Sequence, residues 1–199
     1  MSAPKIPFRA DVRLAPLGPE HAERMLAWMG DPNLRSDLGV RSEPSLERTR
    51  AWIARATRDP TFAPFAIEAD GHHVGNVILD CIDSYLGTAR VTIYVGAPNA
   101  RLVGVGKSAL LHACRHGFDV LGLAKIWLTV HQRNYPAICA YTRLGFALEG
   151  IHRGEFLIGK HRIDAFYFGL MREDYYRLAM VEDSKPDDGA SGKIVPDHG

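Results

Sequence analysis

Cysteine is scarce: Cys81, Cys114 and Cys139 are the only three in 199 residues, and no two are spaced C-x-x-C. An odd, scattered set speaks against a disulfide framework or a thiolate zinc site, and fits a reducing cytoplasm. Charge of one sign is missing too. Lys and Arg number 24 against 23 Asp and Glu, a net charge of +1, which disfavours a general nucleic-acid binder that works through a basic excess. No apolar run approaches the roughly 20 residues of a membrane span. The opening "MSAPKIPFRADVRL" lacks the apolar core of a signal peptide. The last absence is one glycine. "RLVGVGKSALL" contains Gly106-Lys107-Ser108, the end of a phosphate-binding P-loop, but Arg101 stands where the first glycine of G-x-x-x-x-G-K-[ST] belongs. A nucleotide triphosphatase is therefore the weaker reading.

What is present reads as one globular domain. Composition is ordinary, 46% hydrophobic and 24% charged. "FRADVRLAPL" predicts a short strand that Pro16 confines to an edge. Helices are expected over 19–30 and in "SLERTRAWIARATRDP", the latter capped by Ser45, with "GDPNLRSDLG" between them as loop. The period then changes. "FAPFAIEAD" and "HHVGNVILDCID" predict a hairpin across Asp70-Gly71, with the His72-His73 pair in a solvated turn, and "GTARVTIYVG" a third strand. A helix over 104–121, the strand "KIWLTVH", the short helix "PAICAYTRLGF" and two strands joined at Gly159-Lys160 follow. Residues 182–199 are polar and rich in Gly and Pro, the composition of a disordered tail. The fold class is α/β (α+β): a single-domain mixed sheet with one central parallel pair, joined by a right-handed crossover and flanked by helices.

Two stretches carry chemistry. Gly104 and Gly106 open a helix just after a strand, where backbone N–H groups and the positive helix end attract an anion such as a pyrophosphate. Arg101 and Lys107 flank the turn. A plain connecting turn is the alternative. Asn134 and Tyr141 lie seven residues apart on a similar face of the following helix. Capping for Asn134 and core packing for Tyr141 are their ordinary roles.

Together these stretches resemble the GNAT superfamily of acyl-CoA-dependent N-acetyltransferases. Arg101-x-x-Gly104-x-Gly106 matches that family's Q/R-x-x-G-x-G/A coenzyme motif, and "NYPAICAYTRLGF" matches its N-x-x-A-x-x-x-Y-x-x-x-G-F segment. "LEGIHRGEF" and "DAFYFGLM" are similar to the branch of ribosomal-protein and aminosugar acetyltransferases. The resemblance implies an acetyltransferase domain over 9–176 that uses acetyl-CoA and no metal. Backbone groups of Tyr94, Val95 and Gly96 would hold the pantetheine arm. The amides of Leu102, Val103, Gly104, Val105, Gly106 and Lys107 would hold the pyrophosphate, with Arg101 in the motif. Asn134 would bond the coenzyme, a backbone N–H near Val95 would polarise the carbonyl, and Tyr141 would protonate the departing thiolate.

The sequence also departs from the family pattern. Thr129 occupies the position five residues before the motif asparagine, where many relatives carry a glutamate base, and Arg90 stands where many carry an acid. Glu68, Asp80, Asp83 and His131 are the candidate bases, with a water relay as the other route. His131 alternates with Thr129 on one strand face and has the imidazole chemistry the task needs. The expected function is acetyl transfer to a primary amine, such as an aminosugar or a protein N-terminus, in a cytoplasmic enzyme compatible with a homodimer. The alternative is a catalytically weak acyl-CoA-binding sensor or partner module.

Overall fold

The computed structural model of the chain describes residues 11–101 and 104–183. Seven strands form one sheet in the order β1-β2-β3-β4-β5-β7-β6. They are β1 (Val12–Pro16), β2 (Ala63–Ala69), β3 (His72–Asp83), β4 (Thr88–Val95), β5 (Lys125–His131), β6 (Ala147–Ile158) and β7 (His161–Met171). Neighbours run antiparallel except β4 and β5, the expected parallel pair. The helices are α1 (Ala22–Trp28), α2 (Pro32–Asp37), α3 (Leu46–Ala56), α4 (Val105–Asp119), α5 (Tyr135–Arg143) and α6 (Arg172–Asp183).

Local signals explain most boundaries. Pro16 ends β1 at the sheet edge. Asp70 (φ 50°) and Gly71 (φ 76°) make the left-handed pair of a tight hairpin turn. Ser45 caps α3 by accepting from Arg48 N–H at 3.2 Å. Three expectations need correction. The stretch taken as loop contains α2, because Asp31 accepts from Asn33 N–H at 2.9 Å as N-cap and Pro32 occupies the first helical position. His72 is exposed as expected, but His73 is buried. The helix α6 follows the last strand, where no helix was expected, since acids in its first turn favour a helix start there; of the stretch expected as a tail, 184–199 lies outside the described residues.

The core lies between the sheet and α4. Val77, Leu79, Ala89 and Val91 of the sheet pack against Val105, Ala109, Leu110 and Phe118. Gly117 lets α4 approach closely, since a Cβ there would fall 2.8 Å from Ile126 Cδ1. On the opposite face a smaller cluster of Leu17, Ala22, Met25, Ile53 and Ala66 seats α1 and α3.

The feature that shapes the site is where pairing stops. β4 meets β5 only at Thr88↔Lys125, Ala89↔Ile126 and Arg90↔Trp127. Beyond that seam Val91–Val95 continue along β3, while Leu128–His131 continue along β7. The two strands part, leaving a wedge between them.

Candidate active site

The wedge has a backbone wall. Gly96 N–H donates to Val74 O at 2.9 Å, so Gly96 faces β3. The strand period of two then turns Tyr94 toward β3 as well and turns the N–H and C=O of Val95 toward the wedge. Of the three residues expected to offer backbone groups there, Val95 is the one whose N–H has that direction. Its carbonyl is already engaged: Arg101 Nε donates to Val95 O (2.9 Å) and Arg101 Nη2 to Gly96 O (3.2 Å). The guanidinium thus grips the end of β4 and also sits 3.8 Å from Asp31, the α2 cap.

The glycine turn closes the wedge at the same end. Gly104 takes φ 91°, a left-handed conformation that suits glycine, and is the N-cap of the 15-residue α4. No side chain caps this end. The helical ladder begins with Ser108 N–H donating to Gly104 O at 3.0 Å, so among the described residues the first-turn N–H groups of Val105, Gly106 and Lys107 have no acceptor and are placed to meet an anion. A Cβ on Gly106 would stand 3.5 Å from a Val95 methyl, which places the turn against β4. These donors fit the pyrophosphate of a coenzyme A, and the half-exposed Lys107 adds charge. Leu102 and Val103, also expected there, lie outside the described residues.

Side chains of β5 and α5 supply the rest. Asn134 is the N-cap of α5, accepting from Ala137 N–H at 3.3 Å. Tyr141 leans on Phe146 and Phe168, at centroid distances of 6.0 and 6.4 Å. Burial pushes its phenol up to about 12, so it holds its proton throughout the physiological range. No described residue hydrogen-bonds that hydroxyl.

Of the four candidate bases, His131 alone sits at the open end of β5. Asp80 is buried and bound to Arg90 by two contacts of 2.7 and 2.9 Å at the seam. Arg90 therefore matches Asp80 and also lies over the Trp127 ring at 5.9 Å. Asp83 is occupied by the backbone N–H groups of Tyr85 and Leu86. Glu68 is on β2, with β3 between it and β4. His131 is buried, and its Nε2 lies 2.9 Å from Asp37 Oδ1 at the end of α2. A carboxylate only accepts, so Nε2 carries the proton and donates. Its Nδ1 is buried without a partner among the described residues.

Sequence reading missed a second polar chain beside the wedge. His73 Nε2 lies 3.0 Å from Asn76 Oδ1, and Asn76 Nδ2 donates to the Tyr94 hydroxyl at 2.5 Å. Because the amide carbonyl accepts, His73 Nε2 carries the proton. Burial holds His73 below its usual range and lifts the Tyr94 phenol to about 12. Trp28 closes over both rings, 4.7 Å from His73 and 6.1 Å from Tyr94. Gly96 makes room for that indole, since a Cβ would fall 2.0 Å from it. The available signal was an asparagine inside an otherwise apolar strand, "VGNVIL".

Comparison with known proteins agrees with this geometry. The family model described as an acetyltransferase (GNAT) domain matches residues 11–147. The spermidine N(1)-acetyltransferase of Escherichia coli K12 is 32% identical over 111 residues, 56% of this chain and 59% of that protein. The matched region therefore spans about three-fifths of that curated relative. Among solved structures, the Vibrio cholerae spermidine N-acetyltransferase in complex with CoA and spermine superposes with a TM-score of 0.78 at 22% identity, covering 83% of this chain and 98% of that one. Mycobacterium smegmatis RimJ in complex with CoA-disulfide gives 0.75 at 20% identity, covering 88% and 92%. The wedge, the glycine turn and the family match lead to one conclusion: this chain belongs to the GNAT acetyltransferase family.

Proposed function

We propose that the protein transfers an acetyl group from acetyl-CoA to a primary amine by direct attack. The observation that carries this reading is the meeting of an uncapped, glycine-opened helix with an unpaired strand end at one wedge. Bound acetyl-CoA supplies a thioester whose carbonyl carbon is open to an amine. Val95 N–H provides a fixed dipole for the carbonyl oxygen as negative charge grows there. Tyr141 holds a proton for the sulfur. Its phenol is a weak acid, but the same desolvation raises the basicity of a thiolate leaving beside it. His131 takes the proton that the amine sheds as the new N–C bond forms and the C–S bond breaks.

The acceptor is a small or terminal primary amine, and spermidine, the substrate named in the E. coli relative, is the first to try. The sensor reading rests on Thr129, which is no base. The buried imidazole two residues along the same face of β5 favours turnover instead. Another V. cholerae spermidine N-acetyltransferase structure is dodecameric. Self-association of this chain is consistent with the exposed Leu148, Ile151 and Leu157 on the edge strand β6. A cytoplasmic setting suits the free cysteines and the acetyl donor; no helix among the described residues is long and apolar enough to cross a membrane.

Thermal unfolding with and without CoA tests the binding half. CoA should raise the melting temperature of the parent and leave Gly104→Val unmoved, because a β-branched residue opposes φ 91° and crowds the turn. Equal stabilisation of both would remove the turn from the site. A panel of amines with acetyl-CoA, read by mass spectrometry, tests the other half. No acetylated product from any amine, with CoA still bound, would leave the sensor reading.

A further inference from the structure

We infer that Asp37 is the positioning residue of the base: it fixes His131 in the tautomer with the proton on Nε2, so that Nδ1 presents its lone pair. This rests on the acetyltransferase reading with His131 as base, and goes beyond it by naming the group that sets the imidazole.

Geometry is the first argument. Asp37 and His131 are 94 residues apart in sequence and meet at 2.9 Å. The side chain of His131 is 8% exposed, and its ring meets Phe156 edge to face, with centroids 5.5 Å apart. An imidazole held at one nitrogen and packed against a ring cannot turn freely. The second argument is the unpaired atom. Nδ1 is buried with no partner among the described residues. With Nε2–H committed to Asp37, Nδ1 is an acceptor, and an acceptor left unmatched in the interior costs about 1–3 kcal/mol unless a donor visits it. An amine N–H is such a donor once the packing over Nδ1 gives way to the bound acceptor. As the amine attacks, its proton passes to Nδ1 while Nε2–H stays on Asp37, and the resulting imidazolium faces the carboxylate.

The third argument is the placement of the acid. Asp37 is the last residue of α2, where the helix carbonyls point and a carboxylate is disfavoured. No described side chain but His131 bonds it. The helix contributes no buried residue of its own. Its N-cap, Asp31, lies by Arg101 at the end of β4, while Asp37 lies by His131 at the end of β5. Thus α2 ties the base to the strand that the coenzyme would line.

The test compares the parent with Asp37→Asn, Asp37→Glu and His131→Ala. ¹⁵N spectra of the His131 ring in the unliganded protein, assigned by its loss in His131→Ala, read the tautomer without any turnover. The parent should show the neutral ring protonated at Nε2. Asp37→Asn should mix the two tautomers and lower kcat about tenfold to a hundredfold with KM for acetyl-CoA within about twofold, in keeping with misplaced rather than lost catalytic groups. Asp37→Glu should recover part of kcat. If Asp37→Asn kept the parent tautomer and rate while His131→Ala lost the rate, the inference would fail and the base would stand. If His131→Ala kept the parent rate and pH profile, the base reading and the inference would fall together. Equal loss of kcat and coenzyme affinity in Asp37→Asn, with an unchanged tautomer, would make Asp37 a purely structural tie and also overturn it.

Discussion

Tyr141 illustrates how one residue answers to packing and chemistry together. Its ring lies between α5 and β7 against Phe146 and Phe168, so removing the hydroxyl alone leaves the contacts in place. Tyr141→Phe should lower kcat by about two to four orders of magnitude with little change in CoA affinity. Steady-state kinetics beside a CoA titration checks this, and a rate within twofold of the parent would take the phenol out of the mechanism. The raised phenol also fixes a pH expectation. A group that keeps its proton up to about 12 gives no falling limb between about pH 8 and 10, so a loss of rate in that interval would have to come from another group. That a glycine turn opens a helix just after a strand was legible from local chemistry; the role expected of Tyr141 came from the resemblance to a family motif, since its residue type alone suggests core packing. The Asp37–His131 contact was not legible, because periodicity reports on neighbours along the chain and says nothing of pairs that only the folded sheet brings together.

At the scale of elements, the seam between β4 and β5 depends on Asp80 and Arg90. They face each other across the β3–β4 register, and Arg90 extends over Trp127 on β5. Asp80 is nearly enclosed, at 9% side-chain exposure, whereas Arg90 is 39% exposed and partly screened by solvent. Asp80→Asn should therefore cost about 1–3 kcal/mol, less than a fully buried broken pair. Urea unfolding of the two proteins, with m-values compared, measures it; an unchanged midpoint would mean that solvent already satisfies Arg90. Strand and helix order could be read from alternation, turn residues and caps, and β5 appears with the boundaries that "KIWLTVH" suggested. Two helices are exceptions, α6 after the last strand and α2, and the latter has six residues and no buried face. A helix too short to show an apolar period is announced only by its cap and its proline, and Asp31-Pro32 supplied both.

For the whole molecule, acid is the condition to watch. His73 is buried, and burial depresses its titration; His116, against Phe65, is depressed for the same reason. The unfolded chain binds protons at these rings near the ordinary value of about 6.5, while the folded protein resists them. Their contribution is thus fully present above about pH 6.5 and is lost as pH falls below it toward the depressed folded values. His73→Gln keeps a donor for Asn76 and removes the titrating ring, so it should flatten the decline of melting temperature between about pH 6.5 and 5. A decline as steep as in the parent would assign acid sensitivity elsewhere. Burial of His73 was hidden in the sequence because "DGHHVG" reads as a turn on local chemistry, whereas Trp28, from a distant helix, closes over the ring.

The short seam has a mechanical side. Three paired residues join a four-stranded half, β1 to β4, to a three-stranded half, β5 with β7 and β6. Two such leaves can breathe at their joint without breaking the ladders inside either, and α4 is the element that bridges them on the core side. In native-state hydrogen exchange the amides of β5 and β7 should then open as a group at lower free energy than those of β2 and β3. A guest lodged in the wedge would act as a splint. Added CoA should slow exchange in both leaves at once, including amides it never touches, and the two opening energies should converge.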